Sequence, residues 1–308
     1  MSQSLHTNTP LWESAPLSGA LGSRVLMKME ALQPVGSFKI RGIGRVCQAK
    51  YREGATGLVS SSGGNAGYAA AYAGRVIGVP VTVVVPKTTS AWMRELLRQE
   101  GAMVVEHGDS WFFAHEYAAD LAKLEGAGYI HPFDDPLIWS GHASLVEEMR
   151  AAGPKPGVVV VAVGGGGLLC GVVEGLHRVG WHDVPVLAVE TEGAASFAKA
   201  VEAGEPITLD GIDSIAVTLG ALSVTPKALE WVQTHPISPW LVSDREALNA
   251  CKRYLDDHRI LVEPACGAAL AAVYDRADPL QGRDPVIAIV CGGAGVSLEL
   301  LAAWERKV

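Results

Sequence analysis

One lysine of this chain stands where it could act as a nucleophile. Lys39 lies in a Gly-Ser-Phe-Lys-Ile-Arg-Gly segment, and the apolar residues Ile40 and Ile43 follow it at helical spacing. We therefore predict a helix that begins near Ser37, with this serine as its cap. The helix dipole should lower the pKa of Lys39, and an unprotonated amine can attack an aldehyde. A lysine at a helix start is more often a solvated surface charge. The other motifs of the chain must therefore decide whether Lys39 is a surface charge or a nucleophile.

A run of four glycines is the second candidate. Gly164, Gly165, Gly166 and Gly167 follow the apolar run Val-Val-Val-Val-Ala-Val and precede a predicted helix that starts near Leu168. Residues without Cβ let backbone N–H groups approach an anion, and the helix N-terminus adds positive potential. We interpret this glycine turn as a phosphate site; the alternative is a flexible surface turn. It is not a Walker loop, because no Lys-Ser/Thr pair follows, and it lacks the full dinucleotide fingerprint.

A second glycine-rich turn comprises Ser62, Gly63, Gly64, Asn65 and Ala66, and we call it the serine loop. Its backbone N–H groups and the Ser62 hydroxyl could hold a carboxylate, and the Asn65 amide could donate to a phenolate oxygen. The alternative is structural, because Asn or Ser before a helix commonly caps its first N–H groups.

Two further residues stand at the ends of predicted strands. Cys291 precedes a Gly-Gly pair, where a thiol is usually a small core residue but could face a heteroaromatic nitrogen. Glu190 is either a strand-end surface acid or, with Ser196 nearby, an oxygen ligand for a hard cation.

These residues need a scaffold that brings separate turns together. Short apolar runs predict buried parallel strands at 25–29, 57–60, 81–85, 103–106, 158–163, 186–189 and 286–290. Helical patterns between them cover 66–77, 91–99, 111–124, 168–179, 244–258 and 265–276. This alternation predicts an open, mostly parallel α/β fold. Ligands of such sheets bind beyond the carboxyl ends of the strands, so three strand-to-glycine turns could frame one pocket.

Composition excludes several other classes of protein. The formal charge of −8 and the absence of a basic stripe argue against nucleic-acid binding. We predict no membrane span, because no run of about eighteen apolar residues occurs. Five widely spaced cysteines favour reduced thiols and a cytoplasmic location. His115-Glu116 lacks the second histidine of a zinc-protease helix.

Together these motifs resemble the fold-type II pyridoxal-phosphate enzymes, and among them the short serine dehydratases. The resemblance runs nearly from end to end. It rests on the segments QPVGSFKIRG at 33–42, SSGGNAG at 61–67, PFDDPLIW at 132–139, VGGGGLLCG at 163–171, ILVEPACGAALAAV at 260–273 and IVCGG at 289–293.

The resemblance implies a role for each candidate residue. Lys39 would hold the cofactor pyridoxal 5′-phosphate, and Phe38 would pack against its ring. The serine loop would bind the substrate carboxylate, while Asn65 would contact the ring oxygen. The glycine turn and Leu168 would bind the phosphate, and Cys291 would face the ring nitrogen.

The resemblance also implies two domains, an assembly and a cation. The large domain would comprise residues 1–37 and 137–308, the small domain residues 38–136, and the protein would be a homodimer. The potassium ion of the family would lie among five residues, several acting through backbone carbonyls: Glu190, Ala194, Ser196, Leu219 and Ala221.

The implied reaction is the β-elimination of a small hydroxy-amino acid. The Lys39 amine would take the α-proton of L-serine or L-threonine, and pyruvate or 2-oxobutyrate would be released with ammonia. Gly63 departs from the alanine usual in the liver-type enzymes, which bears on turnover and substrate preference. Racemases of this fold type carry serine there, so Gly63 counts against racemisation. The alternatives are β-replacement, racemisation, a non-catalytic amino-acid-binding protein and a nucleotide-binding oxidoreductase.

Overall fold

A computed structural model describes residues 4–308 as two sheets surrounded by helices. Within these residues the strands are β1 Leu11–Glu13, β2 Val25–Lys28, β3 Leu58–Ser60, β4 Val81–Val85, β5 Met103–Glu106, β6 Gly128–Ile130, β7 Val158–Ala162, β8 Val186–Thr191, β9 Ile237–Val242 and β10 Val286–Ile289. The α-helices are α1 Ala15–Leu21, α2 Lys39–Arg52, α3 Asn65–Ile77, α4 Ala91–Gln99, α5 Trp111–Glu125, α6 Pro136–Ala152, α7 Gly167–Arg178, α8 Ser196–Ala203, α9 Pro226–Val232, α10 Asp244–His258, α11 Pro264–Tyr274 and α12 Leu298–Glu305.

The strand pairing confirms the predicted mostly parallel α/β fold. One sheet has the order β1-β2-β10-β7-β8-β9, in which only the β1-β2 pair is antiparallel. The other has the order β5-β4-β3-β6 and is parallel throughout. The division into two domains stays a prediction.

The buried apolar runs explain why the central strands form. Every residue of β7 and of β10 is buried, as expected for parallel strands that are covered on both faces. Helices α6 and α7 pack against each other, as do α10 and α11, and α11 also contacts β7 and β8. Burial of these apolar side chains is the main favourable contribution to folding, and it holds the strand ends in fixed positions.

Three strands were not predicted, and each lacks the expected apolar run. β1 is short and mostly exposed, and β6 contains glycine. β9 contains Pro239, which cannot donate to a sheet ladder. It is tolerated because β9 lies at the edge of its sheet.

The predicted boundary of the small domain at residue 136 coincides with the start of a long helix, α6. Asp135 caps α6 by accepting a hydrogen bond from the Leu137 amide at 2.7 Å. Pro136 occupies the first turn, where the missing N–H group costs nothing. In the described part of the chain, no helix is long and apolar enough to cross a membrane.

Candidate active site

Lys39 lies where the two sheets meet. It is the first residue of α2, and its Nζ donates a 2.8 Å hydrogen bond to the carbonyl of Pro132, which follows β6. Burial lowers the pKa of Lys39 from 10.5 to about 8. The predicted direction of this shift is therefore confirmed, but desolvation rather than the helix dipole is its main cause.

The predicted cap of α2 is wrong. Phe38 occupies the capping position without a side-chain bond, and the buried Ser37 hydroxyl has no partner. The backbone of Ser37 instead bridges to Gly292, and the Phe38 amide donates to the carbonyl of Cys291 at 3.2 Å. These backbone contacts place the start of α2 directly beside the end of β10.

Cys291 is buried close to the lysine. A hydrogen bond with Cys266, together with burial, raises the pKa of the Cys291 thiol well above its ordinary value. The thiol is therefore protonated at neutral pH. Unlike a carboxylate, it brings no negative charge to the site.

The glycine turn is tightly packed, so the alternative of a flexible surface turn does not hold. A Cβ built at Gly165 would lie 2.4 Å from the ring of Phe133, and one at Gly167 would lie 2.7 Å from the Phe133 carbonyl oxygen. Gly166 has φ of 86°, which favours glycine, and it precedes the first turn of α7. The first N–H groups of that helix lack intrahelical partners and can bind an anion.

The serine loop does not use side chains to cap α3. Gly64 is the capping residue, and the Asn65 side chain points elsewhere. Asn65 Nδ2 donates to Glu263 at 3.0 Å, and Asn65 Oδ1 accepts from the Ala294 amide at 2.8 Å. The orientation of the amide is thus fixed, and one N–H of Nδ2 remains for a ligand.

Glu263 belongs to the site, although it was quoted in the sequence only as part of a family motif. Besides Asn65, its buried carboxylate accepts from Thr218 Oγ1 at 2.8 Å and from the Gly295 amide at 2.6 Å. Burial raises the pKa of Glu263. The available signal was its position directly before Pro264, which marks the start of a helix.

The five residues predicted to bind a cation come from two segments of the chain. Glu190 lies in β8, Ala194 follows this strand and Ser196 is the first residue of α8, whereas Leu219 and Ala221 lie between α8 and α9. Glu190 is buried, not a surface acid, and its carboxylate accepts from the amides of Phe197 and Ala198 at 2.8 and 2.7 Å. Burial raises its pKa to about 7. The buried hydroxyl of Ser196 has no hydrogen-bond partner.

Among the other residues predicted to bind the cation, Leu219 lies beside the glycine turn. The amide of Ala221 donates to the carbonyl of Leu219 at 2.7 Å, and Ala194 is fully buried. A Cβ on Gly164 would lie 3.0 Å from Leu219 Cα. Among residues 4–308 no cluster of three or more His, Cys, Asp or Glu side chains could hold a metal. A site built mainly from carbonyls is therefore still a prediction.

The candidate residues are thus gathered in one place. Phe133, which packs on the glycine turn, follows the Pro132 that binds Lys39, and Ala294, which binds the serine loop, follows Cys291 closely. A weakly basic amine and an anion-binding turn without side chains fit a phosphorylated aldehyde.

Comparison with known proteins agrees with this chemistry. The family model described as pyridoxal-phosphate dependent enzyme matches residues 3–292. The chain belongs to this family. It is 50% identical over 316 residues to the L-serine dehydratase/L-threonine deaminase of Mus musculus, covering 99% of this chain and 97% of the mouse protein.

Solved structures extend the comparison. A fungal L-serine ammonia-lyase from Rhizomucor miehei matches with a TM-score of 0.93 and 37% identity, covering 99% of both chains. Maize serine racemase matches with a TM-score of 0.89 and 26% identity, covering 98% of this chain and 92% of the racemase. The fold-type II architecture predicted for this pyridoxal-phosphate-dependent enzyme is therefore confirmed.

Proposed function

We propose that the protein is an L-serine dehydratase that also accepts L-threonine, releasing pyruvate or 2-oxobutyrate and ammonia. The observation that carries the proposal is the position of the buried, weakly basic Lys39 amine at the start of α2, directly beside the buried Cys291 that follows β10. Full-length similarity to a protein named L-serine dehydratase/L-threonine deaminase supports it.

Each part of the site has a task in this reaction. Bound pyridoxal phosphate supplies an electron sink at the substrate α-carbon. The glycine turn would hold its phosphate, and the remaining Asn65 N–H would contact its ring oxygen. The serine loop would hold the substrate carboxylate through backbone N–H groups. Lys39 Nζ, freed when substrate binds, would accept the α-proton.

Cys291 would favour elimination over reactions that need a long-lived carbanion. With the cofactor bound, Cys291 would face the ring nitrogen, and a neutral thiol cannot supply the charge compensation of an aspartate, so the electron sink would be weaker. A weaker sink would favour rapid loss of the β-hydroxyl, which would leave as water with the proton that Lys39 Nζ took from the α-carbon. The released enamine then hydrolyses to the keto acid and ammonia.

Release of keto acid tests the proposal. Purified protein with pyridoxal phosphate and potassium is given L-serine, L-threonine or D-serine in parallel, with Lys39→Ala as the control. We expect pyruvate from L-serine and none from the variant. A cofactor-loaded protein that releases no keto acid from any of the three would refute the assignment.

Racemisation and β-replacement are the rival reactions on this scaffold. Gly63 has no hydroxyl to act on the second face of the substrate, and a Cβ at this position would lie 2.5 Å from Thr89 Oγ1. We therefore expect little D-serine from L-serine, which chiral chromatography of the same reactions measures. Adding sulfide to the L-serine reaction detects β-replacement as newly formed cysteine.

We also propose that potassium binds among the five residues that were predicted to hold a cation. The buried hydroxyl of Ser196 has no partner, and the next residue, Phe197, donates its amide to the Glu190 carboxylate, which supports this. Activity should then fall when potassium is replaced by lithium, and Ser196→Ala should reduce that dependence. The homodimer and the cytoplasmic location remain predictions. Light scattering would test whether the protein is a homodimer.

A further inference from the structure

A chain of three hydrogen-bonded side chains runs toward the surface from Ser61, the residue directly before the serine loop. The Ser61 hydroxyl lies 2.8 Å from the Tyr129 hydroxyl, which in turn lies 2.6 Å from His115 Nδ1. Ser61 is fully buried, and His115 is half-buried beneath Trp111, whose ring stacks on it at 4.8 Å. No part of the proposed reaction uses these three residues.

Each member of this chain comes from a different element. Ser61 directly follows β3, Tyr129 lies in β6, and His115 lies in α5, which packs on both strands. In the sheet, Tyr129 is paired with Val59, whose side chain points to the same face as that of Ser61. Tyr129 therefore links Ser61, which precedes the serine loop, to helix α5.

We propose that Tyr129, held in place by His115, is a positioning residue that sets substrate affinity through the Ser61 hydroxyl. The inference rests on the proposed function, because that function assigns the serine loop to the substrate carboxylate. Tyr129 itself does not touch the substrate. It acts by fixing the strand end from which the loop departs.

The chemistry of the three groups suits a positioning role rather than proton transfer. Burial raises the pKa of Tyr129 to about 12 and lowers the pKa of His115, so both are neutral near pH 7. The other titratable groups facing His115 are Glu116 of its own helix and His131. A neutral phenol can donate one hydrogen bond and accept another, which satisfies both of its neighbours.

Tyr129→Phe tests the inference because it removes both hydrogen bonds and keeps the ring. The KM for L-serine should rise about tenfold while kcat changes less than about twofold, since a lost hydrogen bond to a buried partner has this size. The dissociation constant of glycine, which has no β-leaving group, should rise equally when followed by the absorbance of the bound cofactor. The matched control is Tyr274→Phe, which removes a 2.8 Å bond to Asp257 at the far end of α11.

A double variant separates positioning from general destabilisation. If Tyr129 acts through Ser61, the effects of the two substitutions should not add. The double variant that carries both Ser61→Ala and Tyr129→Phe should then bind glycine no more weakly than whichever single variant binds it less tightly. Wild-type glycine affinity and KM in folded Tyr129→Phe would overturn the inference. If Tyr129→Phe does not fold, an unchanged glycine affinity of Ser61→Ala would overturn the inference. Failure of the wild type to release keto acid would refute the proposed function instead, and the glycine titration would still decide the role of Tyr129.

Discussion

The lowered pKa of Lys39 has a direct consequence for its reactivity. With a pKa of about 8 in place of 10.5, about a tenth of the amine is unprotonated at pH 7, against about 0.03% for an ordinary lysine. The free amine is thus enriched roughly 300-fold. Burial between the two sheets, not any neighbouring cation, produces this enrichment.

Competitive acetylation of the apoprotein measures this pKa. Trace acetic anhydride is applied between pH 6 and 11, and mass spectrometry quantifies the modified peptides, with the exposed Lys123 as internal reference. Labelling of Lys39 should rise with a midpoint near pH 8. A midpoint above about 10, the ordinary value for lysine, would refute the reasoning from burial.

The same shift predicts how stability depends on pH. The unfolded chain holds the Lys39 proton up to about pH 10.5, whereas the folded chain loses it near pH 8, so this residue makes stability rise with pH between these values. Below pH 8 the buried ammonium is unfavourable by about 3 kcal/mol. Lys39→Met should therefore stabilise the apoprotein at pH 7 against urea, and the gain should shrink toward pH 10.5. An equal gain at both pH values would contradict this account.

Two further predictions concern cofactor binding and the buried charges. Gly165→Ala should raise the dissociation constant of pyridoxal phosphate roughly tenfold to hundredfold, because the added Cβ would collide with Phe133. The control is Gly19→Ala in α1, where an added Cβ contacts nothing. Equal cofactor affinities of the two variants in an absorbance titration would contradict the prediction. Arg41→Leu should lower the free energy of unfolding in urea by about 3–5 kcal/mol, because the fully buried Glu30 would lose its ion pair at 2.6 Å and keep only the neutral donors Thr9 and Gln33. A loss below about 1 kcal/mol, typical of a surface ion pair, would show that Glu30 is compensated in another way.

Several features of this protein could be predicted from local sequence. Apolar runs of strand length that end in glycine predicted parallel strands with open turns, because continuous apolar strands are stable only when both faces are covered. The glycine turn and Lys39 were recognisable because their spacing already places them at helix starts. The strand β9 was not predicted because it contains Pro239, which is tolerated only in a strand at the edge of a sheet. The order of strands in a sheet cannot be read from local sequence.

The partners of individual polar groups were decided by tertiary structure alone. Sequence alone predicted that Ser37 caps α2 and left a cap as the alternative role of Asn65. A backbone bridge to Gly292 and a buried carboxylate hold these two residues instead. Glu263 lies almost two hundred residues from Asn65 along the chain, and no sequence pattern near either residue predicts their contact. Sequence periodicity reports which face of an element is buried. The hydrogen bonds that orient a site depend on which elements meet, and only the packed sheets determine that.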